Sequence, residues 1–352
     1  MDSKILQSWR RIQQRLFPEN KAELGPQTPK HAQIMVTLDF LDLERFIPSS
    51  SGKGRPPRDR TALACAFVAK AVLNLPTTEA LIDRLQVDRV LRRLCGFELI
   101  KKLPCKATFS NAFAEFADSY LPQKIHEAIV KNTFSEKLGG KLVGHLSRDS
   151  TDIPARGKVP KLKKEDKGKR RNRARGKHRR VVRQLTMNIT EMLDDLPKKF
   201  DCGSKRGHTW KGYKLHLDVS DGGIPISAIV TAASVHDSQV AIPLEALSSG
   251  RITSLYSLMD SAYDAPEIRK FIVENNKIPI IEPHNRLGQT IILDPAERQR
   301  YGERTSVERT YSRLKDEFNA RQIRVQGWPK VSAHLMFGVL ALTVDQLIRI
   351  FG

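Results

Sequence analysis

The chain has 352 residues, with 60 Lys and Arg against 39 Asp and Glu, a formal net charge of +21 and a pI of about 10.0. That length supports a sizeable core and two or more domains, and so large a positive excess suits a polyanionic substrate such as nucleic acid. Cys65, Cys95, Cys105 and Cys202 form no CxxC pair and have no histidine at zinc-site spacing, which argues against a zinc or disulfide frame. The N-terminus carries Arg10 and Arg11 without an apolar signal core, and the longest apolar run, Leu335 to Val344, is too short to span a bilayer, so the expected setting is the cytoplasm with no membrane partner.

Residues 1 to about 135 read as helical. A proline- and glycine-marked lead ends near Pro57, and the apolar spacing of Thr61 to Leu73 then suits a buried helix. Thr77 is placed to cap a short helix containing Leu81, Ile82 and Leu85, and a third helix over Val87 to Leu94 stops at Gly96. Lys106-Ala-Thr108-Phe109-Ser110-Asn111 opens a fourth, with a small polar first turn of the kind that faces base edges.

Residues 136 to about 320 alternate strand and helix patterns. A short mixed run from Lys141 ends at Asp149, and a run of β-formers from Ile252 ends at Asp260; acidic residues are poor strand formers, so both positions need a reason. Just after the first lies a block from Arg156 to Arg183 with 15 basic and 2 acidic residues, nearly free of large apolar side chains. It is expected to be a mobile loop that orders on a DNA backbone, with Lys169, Arg170, Arg171, Arg173 and Arg175 at its centre. Trp210 to Val219 and Ile224 to Val230 flank Asp221-Gly222-Gly223, a hairpin signal. In Val235-His236-Asp237-Ser238, Asp237 and Ser238 are read as a helix N-cap and His236 as part of the cap rather than a catalyst. Asp264 is likewise assigned to capping, Lys277 to Ile281 to a strand, and Trp210 and Trp328 to the core in preference to base stacking.

Asp294-Pro295 then starts a helix, with Asp at N-cap and Pro at N1. It carries Tyr301, Arg304, Glu308 and Lys315, which at 100° per residue fall within about 60° of one another, one carboxylate flanked by two cations and a phenol. Such a row suits phosphates. An apolar helix from Trp328 to Phe351 closes the chain and is expected to pack on the preceding core or on a partner subunit.

The Y-(2)-R-(3)-E-(6)-K spacing, the "DST" at Asp149 and the "D-x-x-Y-D" at Asp260 resemble the DDE transposases of bacterial insertion sequences in the branch carrying the YREK signature. The resemblance implies an α/β fold: an RNase H-like mixed sheet with flanking helices over residues 136–320, preceded by an all-helical domain over 1–135 that binds element ends. It implies that Asp149, Asp260 and Glu308 are the catalytic acids and ligands of two Mg²⁺ ions, with Mn²⁺ able to substitute, and that Tyr301, Arg304 and Lys315 contact DNA. Three acids can seat such a pair, which activates an attacking oxygen and stabilises a leaving one. The implied activity is cleavage at terminal inverted repeats and transfer of the 3′-hydroxyl to target DNA. The implied partners are double-stranded DNA, both element ends and target, and a second copy of the chain on paired ends. The 48 residues from Asp260 to Glu308 leave no room for the large β insertion of some members. Two other readings stay open: a metal-dependent nuclease or resolvase that cuts without joining, and a catalytically decayed DNA-binding repressor.

Overall fold

The computed structural model describes residues 27–47, 59–98, 103–137, 142–158, 173–205, 207–283 and 292–351. The chain runs α1 (Pro29–Leu41), α2 (Arg60–Val72), α3 (Thr78–Val87), α4 (Arg89–Leu94), α5 (Lys106–Asp118), α6 (Leu121–Asn132), β1 (Val143–Pro154), α7 (Arg173–Gln184), α8 (Ile189–Asp195), β2 (Asp201–Lys205) and β3 (His208–Ser220). It continues through β4 (Pro225–Ala232), α9 (Ser238–Ser249), β5 (Ser254–Met259), α10 (Pro266–Glu274), β6 (Ile278–Ile281), α11 (Pro295–Tyr301), α12 (Thr305–Glu317) and α13 (Trp328–Phe351). Two compact units result. One joins the chain up to His126 with Arg313–Val325 and the segment from Pro329 onward; the other is Glu127–Ser312 with Gln326–Trp328.

In the helical unit, α1 occupies part of the stretch read from sequence as an irregular lead. Thr28 accepts the His31 amide, the His31 ring accepts the Thr28 amide, and Pro29 fills the first turn, where its missing N–H costs nothing. A proline that punctuates a sequence is here a helix start. Downstream the expected signals hold, with the Thr77 hydroxyl accepting the Ala80 amide at 3.0 Å and Gly96 taking a φ of 87° after α4. Phe67 of α2 anchors an aromatic core, its ring centroid 4.8 Å from Phe113 of α5 and 5.9 Å from Phe337 of α13. By length and composition α13 is apolar enough to cross a membrane, but 89% of its apolar window is buried within the fold. It is a core helix of this unit rather than a cover for the sheet.

The second unit holds a six-stranded mixed sheet in the order β2-β3-β1-β5-β6, with β4 also pairing β3. β1 is antiparallel to β3, with Asp149 opposite Leu217, and parallel to β5, with Ser147 opposite Leu258. β5 and β6 are parallel. The three-strand, then strand–helix succession read from sequence is present, with α7, α8 and β2 inserted between β1 and β3. β1 also runs on to Pro154, so Asp149 lies within the strand and not at its end.

The basic block departs from expectation at its C-terminal end. Instead of continuing as a loop to Arg183, the chain forms α7, because Val181 is buried in the core beside Met192 and Ile242, and Arg180 and Arg183 both pair with Asp195 on α8. One buried valine and one shared acceptor dock a helix that composition alone marks as unpackable, while the neighbouring Val182 stays exposed.

A network of charges lies under the sheet. Arg148 is 1% exposed; its Nε and Nη2 donate to the two carboxylate oxygens of Asp218 at 2.7 Å each, and Nη2 also donates to Glu245 on α9 at 2.9 Å. Lys277 donates to the other Glu245 oxygen at 2.6 Å, and Ser248 and Ser257 donate to Asp218 and Glu245. Two cations meet two anions with their lone pairs and protons used, the condition under which burying charge is tolerable. Replacing Arg148 with Leu removes the ion-pair partner of buried Asp218 and leaves Glu245 to Lys277 alone, and is expected to lower unfolding stability by about 3–5 kcal/mol, read by urea denaturation. A loss below about 1 kcal/mol would show that the network relaxes without its centre.

Candidate active site

Side chains alternate across a strand, so the residue after buried Arg148 points to the opposite face of the sheet. That residue is Asp149. Asp260 follows Met259 at the C-terminal end of β5, and continuing the parallel register from Ser147–Leu258 brings it level with Asp149 on the neighbouring strand. Asp149 accepts the Ser150 amide through Oδ1 at 2.7 Å, and Asp260 accepts the Ala262 amide at 3.0 Å. Burial pushes the carboxyls of both above the ordinary range; for Asp149, Lys205, the Ser150 amide and Arg304 oppose the rise while Asp260 adds to it, and for Asp260 nearby Asp237 adds to it.

Asp237 does not cap α9 as the sequence suggested. Its side chain makes no cap hydrogen bond. It accepts instead from Ser150 Oγ at 2.9 Å and from Lys214 Nζ at 2.9 Å, and, against the cost of burial, Lys214 holds its carboxyl below the usual range. The cap is supplied by His236, whose Nδ1 lies 2.9 Å from Ser238 Oγ. Asp264 is not a cap either: it pairs with Arg269, and α10 starts without a side-chain cap. Trp210 and Trp328 donate their indole N–H groups to the Tyr213 and Val230 carbonyls, which fixes both as structural residues.

Over the acidic face lie α11 and α12. Asp294 caps α11 with Pro295 at its start, as expected, and Glu297 at N3 completes a capping box. A 3₁₀ turn at Gly302–Arg304 then separates the two helices; such a turn stacks residues three apart, and the Arg304 guanidinium lies 5.7 Å from the Tyr301 ring centroid. Tyr301 donates to Glu282 at 3.2 Å. Arg304 lies between two acids, donating to Asp149 Oδ2 at 3.3 Å and to Glu308 Oε1 at 2.6 Å. Glu308 is 52% exposed. Lys315 stands seven residues on, in the last turn of α12, in the part counted with the helical unit. Lys169, Arg170 and Arg171 lie outside the described residues, and Arg173 and Arg175 fall in the first turn of α7.

Several residues that serve the site went unread in the sequence. Lys214, His216 and Asp218 are spaced by two on β3 and face the same side as Arg148, all buried; the period-2 run of polar residues was their signal. Tyr311, one turn beyond Glu308, donates its hydroxyl to the Asp149 carbonyl at 2.7 Å and contacts the Leu215 carbonyl at 3.2 Å. Burial holds this phenol well above its usual pKa, so it remains a donor. No local pattern announced it.

The donor set of Asp149, Asp260 and Glu308 is all carboxylate oxygen, which fits a hard divalent cation. The Arg304 guanidinium lies between Asp149 and Glu308, and among the described residues no three His, Cys, Asp or Glu side chains are gathered as a metal cluster. The chain's chemistry therefore fits a metal, with Glu308 held to Arg304.

Comparison with known families agrees. Residues 144–344, which include all three acids, match the Transposase DDE domain, a family that generally uses divalent metal ions and has an RNase H-like core; residues 22–115 match the Transposase domain (DUF772). No curated protein and no solved structure matches the chain. With two family matches in the order helical region then mixed sheet, the chain belongs to the DDE transposases of insertion sequences, enzymes of DNA transposition.

Proposed function

We propose that this transposase is of the YREK branch and cleaves phosphodiester bonds at the terminal inverted repeats of its element, then transfers the freed 3′-hydroxyl to target DNA. The observation that carries this reading is the level placement of Asp149 and Asp260 on adjacent parallel strands, with the Glu308 helix tied over them. Asp149, Asp260 and Glu308 would hold two Mg²⁺ ions, or Mn²⁺ in their place. When bound, the ions supply activation of the attacking oxygen and stabilisation of the leaving one in an in-line displacement. Burial of Asp149 limits access of bulk water, and the raised carboxyl ranges of both aspartates favour a cation over two unpaired charges. The enzyme acts in the cytoplasm, on nucleoid DNA, as a dimer on paired ends.

Arg304 and Tyr301 bind the scissile strand, with Lys315 further along α12. Arg304 presents a planar fork that suits phosphate as well as it suits the two carboxylates. It exchanges one for the other when DNA and metal arrive, which frees Glu308. Removing that competing cation with Arg304→Ala is expected to strengthen Mn²⁺ binding in the absence of DNA, measured by electron paramagnetic resonance, while weakening DNA affinity. Unchanged Mn²⁺ affinity would show that Arg304 does not compete for the site.

Glu308→Gln keeps the shape of the side chain and removes its charge. It is expected to abolish Mg²⁺-dependent nicking at repeat ends with DNA binding largely retained; a variant that cuts at the wild-type rate would remove Glu308 from the site. Metal-dependent nicking without joined products would favour the nuclease reading, and binding with no cleavage the repressor.

The basic block that follows β1 in the chain would grip DNA through its backbone. Replacing Lys169, Arg170, Arg171, Arg173 and Arg175 by Gln spares Val181 and the core contacts of α7. The slope of log K against log salt is expected to flatten by up to about 4, if each residue neutralises a phosphate. An unchanged slope would place these residues off the interface.

A further inference from the structure

We infer that Tyr311 is a positioning residue of the catalytic centre: its buried hydroxyl ties the helix bearing Glu308 to the backbone of Asp149 itself and so sets the separation of the two acids. The inference rests on the proposed metal site. Three observations place it. Tyr311 is 6% exposed, and its hydroxyl donates to the Asp149 carbonyl at 2.7 Å while lying 3.2 Å from the Leu215 carbonyl on β3. The anchor therefore reaches two adjacent strands from one helix. Tyr311 is also three residues beyond Glu308, so the two share a turn of α12 and movement of one carries the other.

The other links between this helical run and β1 are of a different kind. Arg304 to Asp149 is a side-chain ion pair made by the cation the proposed mechanism sends to phosphate, and Ser147 Oγ donates to the Glu303 carbonyl at 3.2 Å, inside the 3₁₀ turn and not on the helix that carries Glu308. When Arg304 leaves, Tyr311 remains as the contact that relates the third acid to the first. A neutral phenol suits this task. It adds no charge beside the carboxylates and does not compete for a metal ion, whereas a lysine or arginine at the same place would do both. Supporting groups of this kind, once mutated, typically cost 10–100-fold in metal affinity or activity.

Tyr311→Phe removes the hydroxyl and keeps the ring. Mn²⁺ affinity of the full-length protein, read by electron paramagnetic resonance without DNA, is expected to fall about tenfold or more. Turnover on repeat-end DNA should fall with it while the KM for DNA stays near the wild-type value. The control is Thr310→Val, one residue earlier on the same helix, whose buried hydroxyl donates to the Ser306 carbonyl at 2.8 Å and makes no contact with Asp149. A thermal melt lowered alike in both variants, with Mn²⁺ affinity reduced only in Tyr311→Phe, would assign the effect to positioning. Wild-type Mn²⁺ affinity in Tyr311→Phe, or an equal loss in both variants, would overturn the inference while a cleaving wild-type enzyme left the transposase reading intact. A wild-type protein that neither bound Mn²⁺ nor cleaved would remove both.

Discussion

The alternation of side chains along β1 is the constraint from which the site follows. Arg148 points down into a charge network with Asp218, Glu245 and Lys277, and the pleat then obliges Asp149 to point up. A one-residue slip of this strand would expose the guanidinium and bury the carboxylate among the groups that now pair with the arginine. The ionic network thus penalises every wrong register. Its contribution lies less in net stability, since burying two ion pairs costs about what it returns, than in specifying which residue faces the reaction.

Above the sheet the balance is the reverse. Asp149 and Asp260 are brought together by strand order, and burial raises both carboxyls. Lys214 compensates Asp237 from the Arg148 face, while the Arg304 guanidinium donates to Asp149. The protein has neutralised the lower face with its own residues, and on the upper face Arg304 bridges Asp149 and Glu308. An arginine is a suitable occupant in the free state, since it bridges two acids and also matches phosphate.

The turn at Gly302–Arg304 gives Tyr301 and Glu308 separate supports. α11 is held through Arg300, stacked on Tyr256 at 4.4 Å, and through Tyr301 on Glu282. α12 is held through Tyr311 on the backbone of β1 and β3.

Local chemistry made much of this legible. The hairpin at Asp221-Gly222-Gly223, the cap at Asp294, the cap at Thr77, and the order of strands and helices depend on neighbours in sequence, and each stands where the residues indicated. The acids at 149, 260 and 308 could be singled out because carboxylates at strand ends and on a cationic helix face need explaining. Tertiary structure alone decided what distant partners impose. Asp237 and Asp264 turned from capping to Lys214 and Arg269, the basic block became helical where Val181 found a core, and the C-terminal helix joined the helical unit. Arg304 settled between two acids 155 and 4 residues away. Spacing along a chain determines which side chains can share a face; which of them meet depends on the packing of elements whose contacts leave no trace in local pattern.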